Sequence, residues 1–168
     1  MDYSRHLVLY SGGADSTYFI ESEPTAHHLI HYRSDNHEKT LIAKANAIRF
    51  GKWLTVRSFD GDRPGHDGEI NEIHALYDTA MALDASITAA SFGMKGIVMC
   101  FNKDDIGIDF DSLAKIVHRA APRFEIATPL RKIKAVNIRE ELKAKKVPYV
   151  SCMVSRECGV CPKCLRGR

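Results

Sequence analysis

The fold of this chain is indicated by one stretch near its N-terminus, Leu7-Val8-Leu9-Tyr10-Ser11-Gly12-Gly13-Ala14-Asp15-Ser16. Its first four residues form a short apolar run that is typical of a buried strand, and a helical pattern begins near Asp15. Paired glycines allow a tight turn whose backbone N–H groups can approach an anion. The first turn of the helix adds further donors and a positive partial charge. The stretch therefore predicts a strand, an anion-binding loop and a helix.

The rest of the chain repeats this alternation, which is typical of a parallel sheet with crossover helices. We predict strands at residues 6–10, 27–32, 53–58, 96–101 and 124–127, and helices at 15–21, 38–50, 69–92, 111–120 and 131–145. The expected fold is α/β, a Rossmann-like doubly wound parallel sheet of about five strands. Ligands of such sheets bind beyond the carboxyl ends of the strands, where we also expect a loop over residues 60–68.

Length and composition favour one compact domain, because the 168 residues are 45% hydrophobic and 27% charged. We expect residues 1–150 to form the α/β domain and residues 151–168 to form a four-cysteine segment packed on it. No apolar run spans a bilayer and no signal peptide is evident, so we expect a cytoplasmic protein without a membrane partner. The formal net charge of +3 suits small anions better than a nucleic-acid track, and no direct nucleic-acid partner is expected.

The loop carries the groups that a phosphate ligand needs, at Ser11, Gly12, Gly13, Ala14, Asp15 and Ser16, and the family resemblance given below implies that this ligand is ATP or pyrophosphate. Asp15 is the candidate Mg²⁺ ligand, because a carboxylate and phosphate oxygens make up the usual shell of that ion. The loop lacks the third glycine of a dinucleotide fingerprint and the Gly-Lys-Ser/Thr ending of a Walker loop. It resembles the Ser-Gly-Gly-x-Asp-Ser loop of the ATP pyrophosphatases, enzymes that split ATP into AMP and pyrophosphate. A plain glycine-rich turn is the alternative.

A cysteine cluster ends the chain with the spacing C-x5-C-x2-C-x2-C, at Cys152, Cys158, Cys161 and Cys164. Two-residue gaps let successive thiolates turn back onto one ion, and four thiolates complete the tetrahedral shell of zinc. We predict a structural Zn²⁺ site. An iron–sulfur cluster, a redox dithiol and unliganded core cysteines remain as alternatives. Cys100, alone in an apolar strand, is interpreted as a small buried hydrophobe.

The phosphate loop and the cysteine knuckle together resemble those of the 7-cyano-7-deazaguanine synthases, the QueC family. The likeness includes Cys-Phe-Asn-Lys-Asp-Asp at residues 100–105 and Pro129-Leu130 with Lys134. It implies a HUP-type fold and a ligase that uses ATP, Mg²⁺ and Zn²⁺. In that reaction ATP adenylates 7-carboxy-7-deazaguanine, ammonia displaces AMP to give an amide, and a second ATP dehydrates the amide to the nitrile.

Further site residues follow from the resemblance. Lys134, as a catalytic residue, would bind the departing pyrophosphate, with a solvated surface lysine as the equal alternative. Asn102, Asp105 and Asp111 would recognise the guanine-like base, because a carboxylate accepts two donors in parallel; an ordinary polar turn is the alternative. The family carries a Gly-Gln-Arg/Lys-His motif after the second strand, and His37 is the residue of this chain that clearly matches it. His37 would also bind substrate. Family members often pair, which leaves a homodimer possible.

Other functions are also compatible with these motifs. The reaction could stop at 7-amido-7-deazaguanine, or the chain could be an ATP-dependent RNA thiolase. Thiolation needs a reactive cysteine near the nucleotide, and Cys100 is the only cysteine outside the terminal cluster. A zinc-knuckle nucleic-acid-binding module is the non-enzymatic alternative. It is disfavoured because no aromatic side chain for base stacking follows Tyr149.

Overall fold

Parallel strands alternate with helices along the chain. The computed structural model describes residues 1–33, 36–58, 71–105, 109–152, 157–159 and 164, with the backbone alone for residues 71–74. Within these ranges the strands are β1 (His6–Leu9), β2 (His28–Tyr32), β3 (Trp53–Arg57), β4 (Gly96–Met99) and β5 (Glu125–Ala127). The helices are α1 (Ala14–Ser22), α2 (His37–Arg49), α3 (Asn71–Ser91), α4 (Phe110–Ala120) and α5 (Ala135–Ala144).

The strands form one sheet in the order β3-β2-β1-β4-β5, and each neighbouring pair is parallel. The chain runs outward from β1 to β3, then returns to the other side of β1 to add β4 and β5. Strand order therefore reverses between β1 and β4, the position at which doubly wound sheets bind their ligands. The predicted Rossmann-like α/β fold is confirmed.

Two apolar layers cover the two faces of this sheet. Phe19 of α1, Ala43 of α2 and Ile138 of α5 pack in one layer, and the alanines and leucines of α3 and α4 pack in the other. Successive residues of a strand point to opposite faces, so Val8 belongs to the first layer and its neighbour Leu7 to the second. The helices α1, α2 and α5 thus share one side of the sheet.

The start of α5 differs from the sequence prediction, since the helix begins at Ala135 and not at residue 131. The preceding residues form turns instead, in which the N–H of Arg131 donates to the Thr128 carbonyl (3.3 Å) and that of Ile133 to the Leu130 carbonyl (2.8 Å). The Asp104 carboxylate accepts from the Ala135 N–H at 2.8 Å and fixes the first helical residue. The predicted loop at 60–68 and the first residues of the predicted helix at 69–92 lie outside the described residues.

Among the described residues, no helix combines the length and the apolar character that crossing a bilayer demands.

Candidate functional site

A cleft opens at the carboxyl edge of the sheet, where strand order reverses between β1 and β4. It collects side chains from the loop after β1, the loop after β4, the first turns of α2 and α5, and the segment that leads to the cysteines. The residues that line it are Ser11, Gly13, Ala14, Asp15, Lys39, Asn102, Asp104, Asp105, Ala135, Arg139 and Ser151.

The loop after β1 is tightly wound and lies against α2. Gly12 has a φ of +75°, and a Cβ built on it would lie 2.8 Å from the Lys39 carbonyl oxygen, so a side chain does not fit there. The Ser11 and Ser16 hydroxyls lie 3.1 Å apart, and the Ser11 N–H donates to the Ser16 hydroxyl at 3.2 Å. Gly13 is the N-cap of α1 and has no side-chain oxygen to cap the first N–H groups of that helix. This arrangement is suited to an anion.

Asp15 is oriented by the loop after β4. Its carboxylate accepts a hydrogen bond from the Asn102 side-chain amide at 2.9 Å. Asn102 is 3% exposed, its amide oxygen accepts from the Asp104 N–H at 2.7 Å, and its own N–H donates to the Asp105 carboxylate at 3.1 Å. Both ends of the Asn102 amide are therefore engaged by the protein, so this predicted substrate residue lines the cleft and orients Asp15 there.

Two basic side chains in the cleft were not anticipated from the sequence. Lys39 lies in the first turn of α2, and Arg139 lies one turn into α5. Lysine and arginine on helices are usually solvated, so their residue types alone gave no signal. The position of Lys39 could have indicated its place in the cleft. Lys39 follows the end of β2 closely, and α2 starts at the edge of the sheet where ligands of this fold bind.

Five residues predicted for catalysis or for binding ATP and substrate lie outside the lining of the cleft: Gly12, Ser16, Lys134, His37 and Asp111. Lys134 is exposed and is the N-cap of α5. His37 is the exposed first residue of α2, and Asp111 is exposed in the first turn of α4. Asn102 and Asp105 do line the cleft, together with the loop residues Ser11, Gly13, Ala14 and Asp15. The structure thus brings the phosphate loop, Asn102 and Asp105 together, while Lys134, His37 and Asp111 do not line the cleft.

A buried histidine joins the start of the loop to α2. His31 is 1% exposed, with its Nδ1 2.8 Å from the Tyr10 carbonyl oxygen and its Nε2 2.9 Å from the Thr40 hydroxyl. Because a carbonyl only accepts, Nδ1 carries the hydrogen and Nε2 accepts from Thr40. Burial lowers the pKa of His31, so the neutral ring is favoured.

Cys100 is buried in the apolar core and lies near Asp15. Burial first, and then the nearby Asp15 carboxylate, raise the pKa of the Cys100 thiol well above its usual range. A thiol of this kind is a poor nucleophile at neutral pH. The environment agrees with the interpretation of Cys100 as a buried hydrophobe.

Three of the terminal cysteines converge on one point. The Sγ atoms of Cys152, Cys158 and Cys164 lie within 4.8 Å of one another, and those of Cys158 and Cys164 are 4.0 Å apart. The Cys158 N–H donates to the Cys152 sulfur at 3.3 Å. Tetrahedral zinc with Zn–S bonds of about 2.3 Å places its sulfur ligands about 3.8 Å apart, so these thiolates fit a single ion. Cys161 lies outside the described residues.

The segment that leads to the cysteines borders the phosphate loop. The Val150 N–H donates to the Gly12 carbonyl at 3.0 Å, and the Ser151 hydroxyl accepts from the Ala14 N–H at 3.4 Å. The Asn36 side chain donates to the Cys152 carbonyl at 3.0 Å. Val150 and Cys152 also pack against Ile42 of α2. The cysteine site is therefore next to the cleft.

Comparisons with known proteins establish the fold. No protein-family model matches the chain, and no curated protein matches it either. Among solved structures, the U34-tRNA thiolase NcsA from Methanococcus maripaludis, with its 4Fe-4S cluster, is similar with a TM-score of 0.56 and 16% identity over 86% of this chain and 56% of that one. A predicted subunit of tRNA methyltransferase from Methanocaldococcus jannaschii has a TM-score of 0.50 and 15% identity over 82% of this chain and 73% of that one.

At these identities the likeness shows a shared fold alone. The chain spans little more than half the length of the thiolase. What defines the site is therefore the geometry: a glycine loop at the start of a helix, an oriented carboxylate and two basic side chains, beside a cysteine cluster.

Proposed function

We propose that the protein is an ATP pyrophosphatase of the PP-loop class, which binds ATP with Mg²⁺ in the cleft and activates a substrate by adenylation. The observation that carries this proposal is the meeting of the Ser11–Ser16 loop, Lys39 and Arg139 around one cleft that also contains an oriented Asp15. Glycine backbone, helix N-terminus and basic side chains are the three usual elements of a phosphate site. Likeness of fold to a tRNA thiolase is consistent with the class.

Each group in the cleft has a distinct role in this proposal. The N–H groups at the start of α1, with the Ser11 hydroxyl, would bind phosphate oxygens. Lys39 and Arg139 would stabilise the charge that develops on the departing pyrophosphate, which is where an enzyme lowers the barrier of acyl activation. Asp15, held by Asn102, would be the protein ligand of Mg²⁺.

For the substrate, we propose 7-carboxy-7-deazaguanine with ammonia, giving the nitrile through an adenylate and an amide. Support comes from the sequence resemblance at residues 11–16, 100–105 and 152–164. Asp105, at the edge of the cleft, is the residue best placed to accept from a guanine-like base. A carboxylate is a poor acyl donor until its oxygen becomes a good leaving group, and adenylation supplies that change.

RNA thiolation is the second candidate, favoured by the position of the cysteine cluster beside the phosphate loop. The similar thiolase NcsA holds a 4Fe-4S cluster. In the present chain, sulfur chemistry would fall to the terminal cysteines, because the raised pKa of Cys100 makes it a poor sulfur carrier. The spacing of the three sulfur atoms supports one zinc ion over a four-iron cluster, whose own iron and sulfide atoms push the thiolates farther apart.

The test incubates zinc-loaded protein with ATP, Mg²⁺, ammonium and 7-carboxy-7-deazaguanine, and follows pyrophosphate release and the mass of the product. The Asp15→Asn variant is the control, since it keeps the size of the side chain and removes its charge. A nitrile supports the full reaction, and an amide supports a reaction that stops after one activation. Absence of substrate-dependent pyrophosphate would refute the deazaguanine assignment, and thiolation of an RNA with sulfide would then support the second candidate.

A further inference from the structure

Three successive residues connect the cysteine site to the cleft. Val150 bonds to the carbonyl of Gly12 in the phosphate loop, Ser151 accepts from the first N–H of α1, and the Cys152 carbonyl accepts from Asn36. Cys152 itself is one of the three converging cysteines and is 2% exposed. The backbone that presents a metal-binding sulfur thus also forms part of the wall of the cleft.

We propose that Asn36 and Ser151 are positioning residues that couple metal binding at the cysteine site to nucleotide binding in the cleft. This inference rests on the proposed function, because it assumes that the cleft takes ATP. A metal ion that fixes Cys152 also restricts the conformation of residues 150–152. Val150 and Ser151, which hydrogen-bond to the phosphate loop, are then already ordered when the nucleotide binds. Since ordering a backbone segment costs conformational entropy, a segment that is already ordered favours the second ligand.

Asn36 makes the connection to the basic side of the cleft. It is 2% exposed, and the two ends of its one amide are used separately. The oxygen accepts from the Glu38 N–H at 3.1 Å and caps α2, while the nitrogen donates to the Cys152 carbonyl at 3.0 Å. Lys39 lies in the same helical turn and lines the cleft. A shift of Cys152 would therefore move Asn36 and the first turn of α2, and with it the cationic side chain of Lys39.

Ser151 makes the connection to the loop itself. Its hydroxyl oxygen lies 3.4 Å from the Ala14 nitrogen, at the first turn of the helix that follows the loop, and the residue lines the cleft. The hydroxyl is thus held at the point where a helix N-terminus binds phosphate oxygens.

The test measures binding of a non-hydrolysable ATP analogue with Mg²⁺ by calorimetry, in zinc-loaded protein and in protein stripped by a chelator. We expect affinity to be roughly 5- to 150-fold higher with zinc, the usual range for two coupled sites. Linkage requires that the analogue raises zinc affinity by the same factor, which a competition with a chromogenic chelator measures.

Asn36→Ser isolates the coupling, because serine keeps an N-cap oxygen for α2 and loses the donor to Cys152. We expect this variant to bind zinc and analogue singly, with the ratio between zinc-loaded and stripped affinities falling towards one. Ser151→Ala is the second variant and is expected to lower the same ratio. The matched control is Asp109→Ser, which changes the N-cap of α4 to the same residue and is expected to keep the full ratio.

Equal analogue affinity in loaded and stripped protein overturns the coupling while nucleotide binding stands. No analogue binding in either form refutes the proposed function instead. If circular dichroism shows that the stripped protein unfolds, the zinc competition on folded protein decides, and zinc affinity that is unchanged by the analogue overturns the inference. An undiminished ratio in both Asn36→Ser and Ser151→Ala would assign the coupling to other residues and refute their role.

Discussion

Replacing Gly12 by alanine tests the packing of the phosphate loop against α2. The φ of +75° at Gly12 lies in the left-handed region, which costs an L-residue about 1–2 kcal/mol. The new Cβ would lie 2.8 Å from the Lys39 carbonyl oxygen, whereas ordinary contact begins at 3.4 Å. Relieving this overlap moves the loop or the first turn of α2 by about 0.6 Å, and such overpacking costs about 1–3 kcal/mol.

Gly51→Ala is the matched comparison for this experiment. Gly51 has a φ of +63°, but a Cβ there would meet no atom within 4 Å, so the variant carries the backbone cost alone. We expect Gly51→Ala to lower the free energy of unfolding by about 1–2 kcal/mol and Gly12→Ala by about 2–5 kcal/mol. For a chain of this size each kcal/mol corresponds to about 2–4 °C in Tm.

Urea denaturation followed by circular dichroism measures both variants, with thermal unfolding as an independent check. The informative quantity is the difference between the two, because it isolates the contact with the Lys39 carbonyl. If Gly12→Ala and Gly51→Ala lower the free energy of unfolding equally, the contact with the Lys39 carbonyl does not contribute to stability. The tight packing of the loop against α2 is then refuted.

Four other changes are expected to have distinct results. Asp15→Asn should abolish pyrophosphate release while the free energy of unfolding from urea denaturation stays within about 1 kcal/mol of the parent, because it alters the proposed magnesium ligand and no apolar contact; normal turnover would remove Asp15 from the site. Lys39→Ala should weaken binding of an ATP analogue roughly tenfold or more, the usual effect of losing a hydrogen bond from a charged group, and calorimetry should find a smaller effect for the exposed Lys134→Ala. Cys158→Ser should abolish zinc retention and lower Tm, as checked by metal analysis and a thermal scan, since a structural metal contributes directly to folding; full zinc content would exclude Cys158 as a ligand. Because burial lowers the pKa of His31 in the folded state, the stability from its neutral form is present above the unfolded pKa of about 6.5 and is lost as the pH falls below it. His31→Gln should therefore lose less stability than the parent between pH 7 and pH 5 in urea titrations, and equal losses would exclude this contribution.

The fold was predictable from the sequence because its signals are local. Each strand begins or ends within two residues of the predicted bounds, since short apolar runs between turn residues mark buried strands whatever surrounds them. Among the helices, the start of α5 was predicted four residues too early. The helix begins at Ala135, whose N–H donates to Asp104 of a distant loop. The sequence of residues 131–134 alone does not indicate this contact with Asp104.

The site was predictable only in its contiguous parts. Residues 11–16 carry their own signal, because the glycine turn and the helix start adjoin in sequence. Lys39 and Arg139 line the cleft because α2 and α5 pack beside the loop. This packing joins distant parts of the chain, so no single stretch of sequence indicates it. Asn36 could have been identified as a helix cap, but its bond to Cys152 joins two distant segments. The cysteine spacing predicted convergence of the thiolates, not their position beside the phosphate loop.

The strand order has a consequence for how the chain reaches its native state. Leu7 pairs on one side with His28, which follows soon in the chain, and on the other with Ile97. During synthesis β1, β2 and β3 can therefore associate early, while one edge of the central strand stays open until β4 has left the ribosome. Long-range parallel pairing is slow because loop-closure entropy must be overcome first, and an open apolar edge is a template for aggregation. Expression at low temperature, or with chaperones that shield this edge, should favour soluble protein.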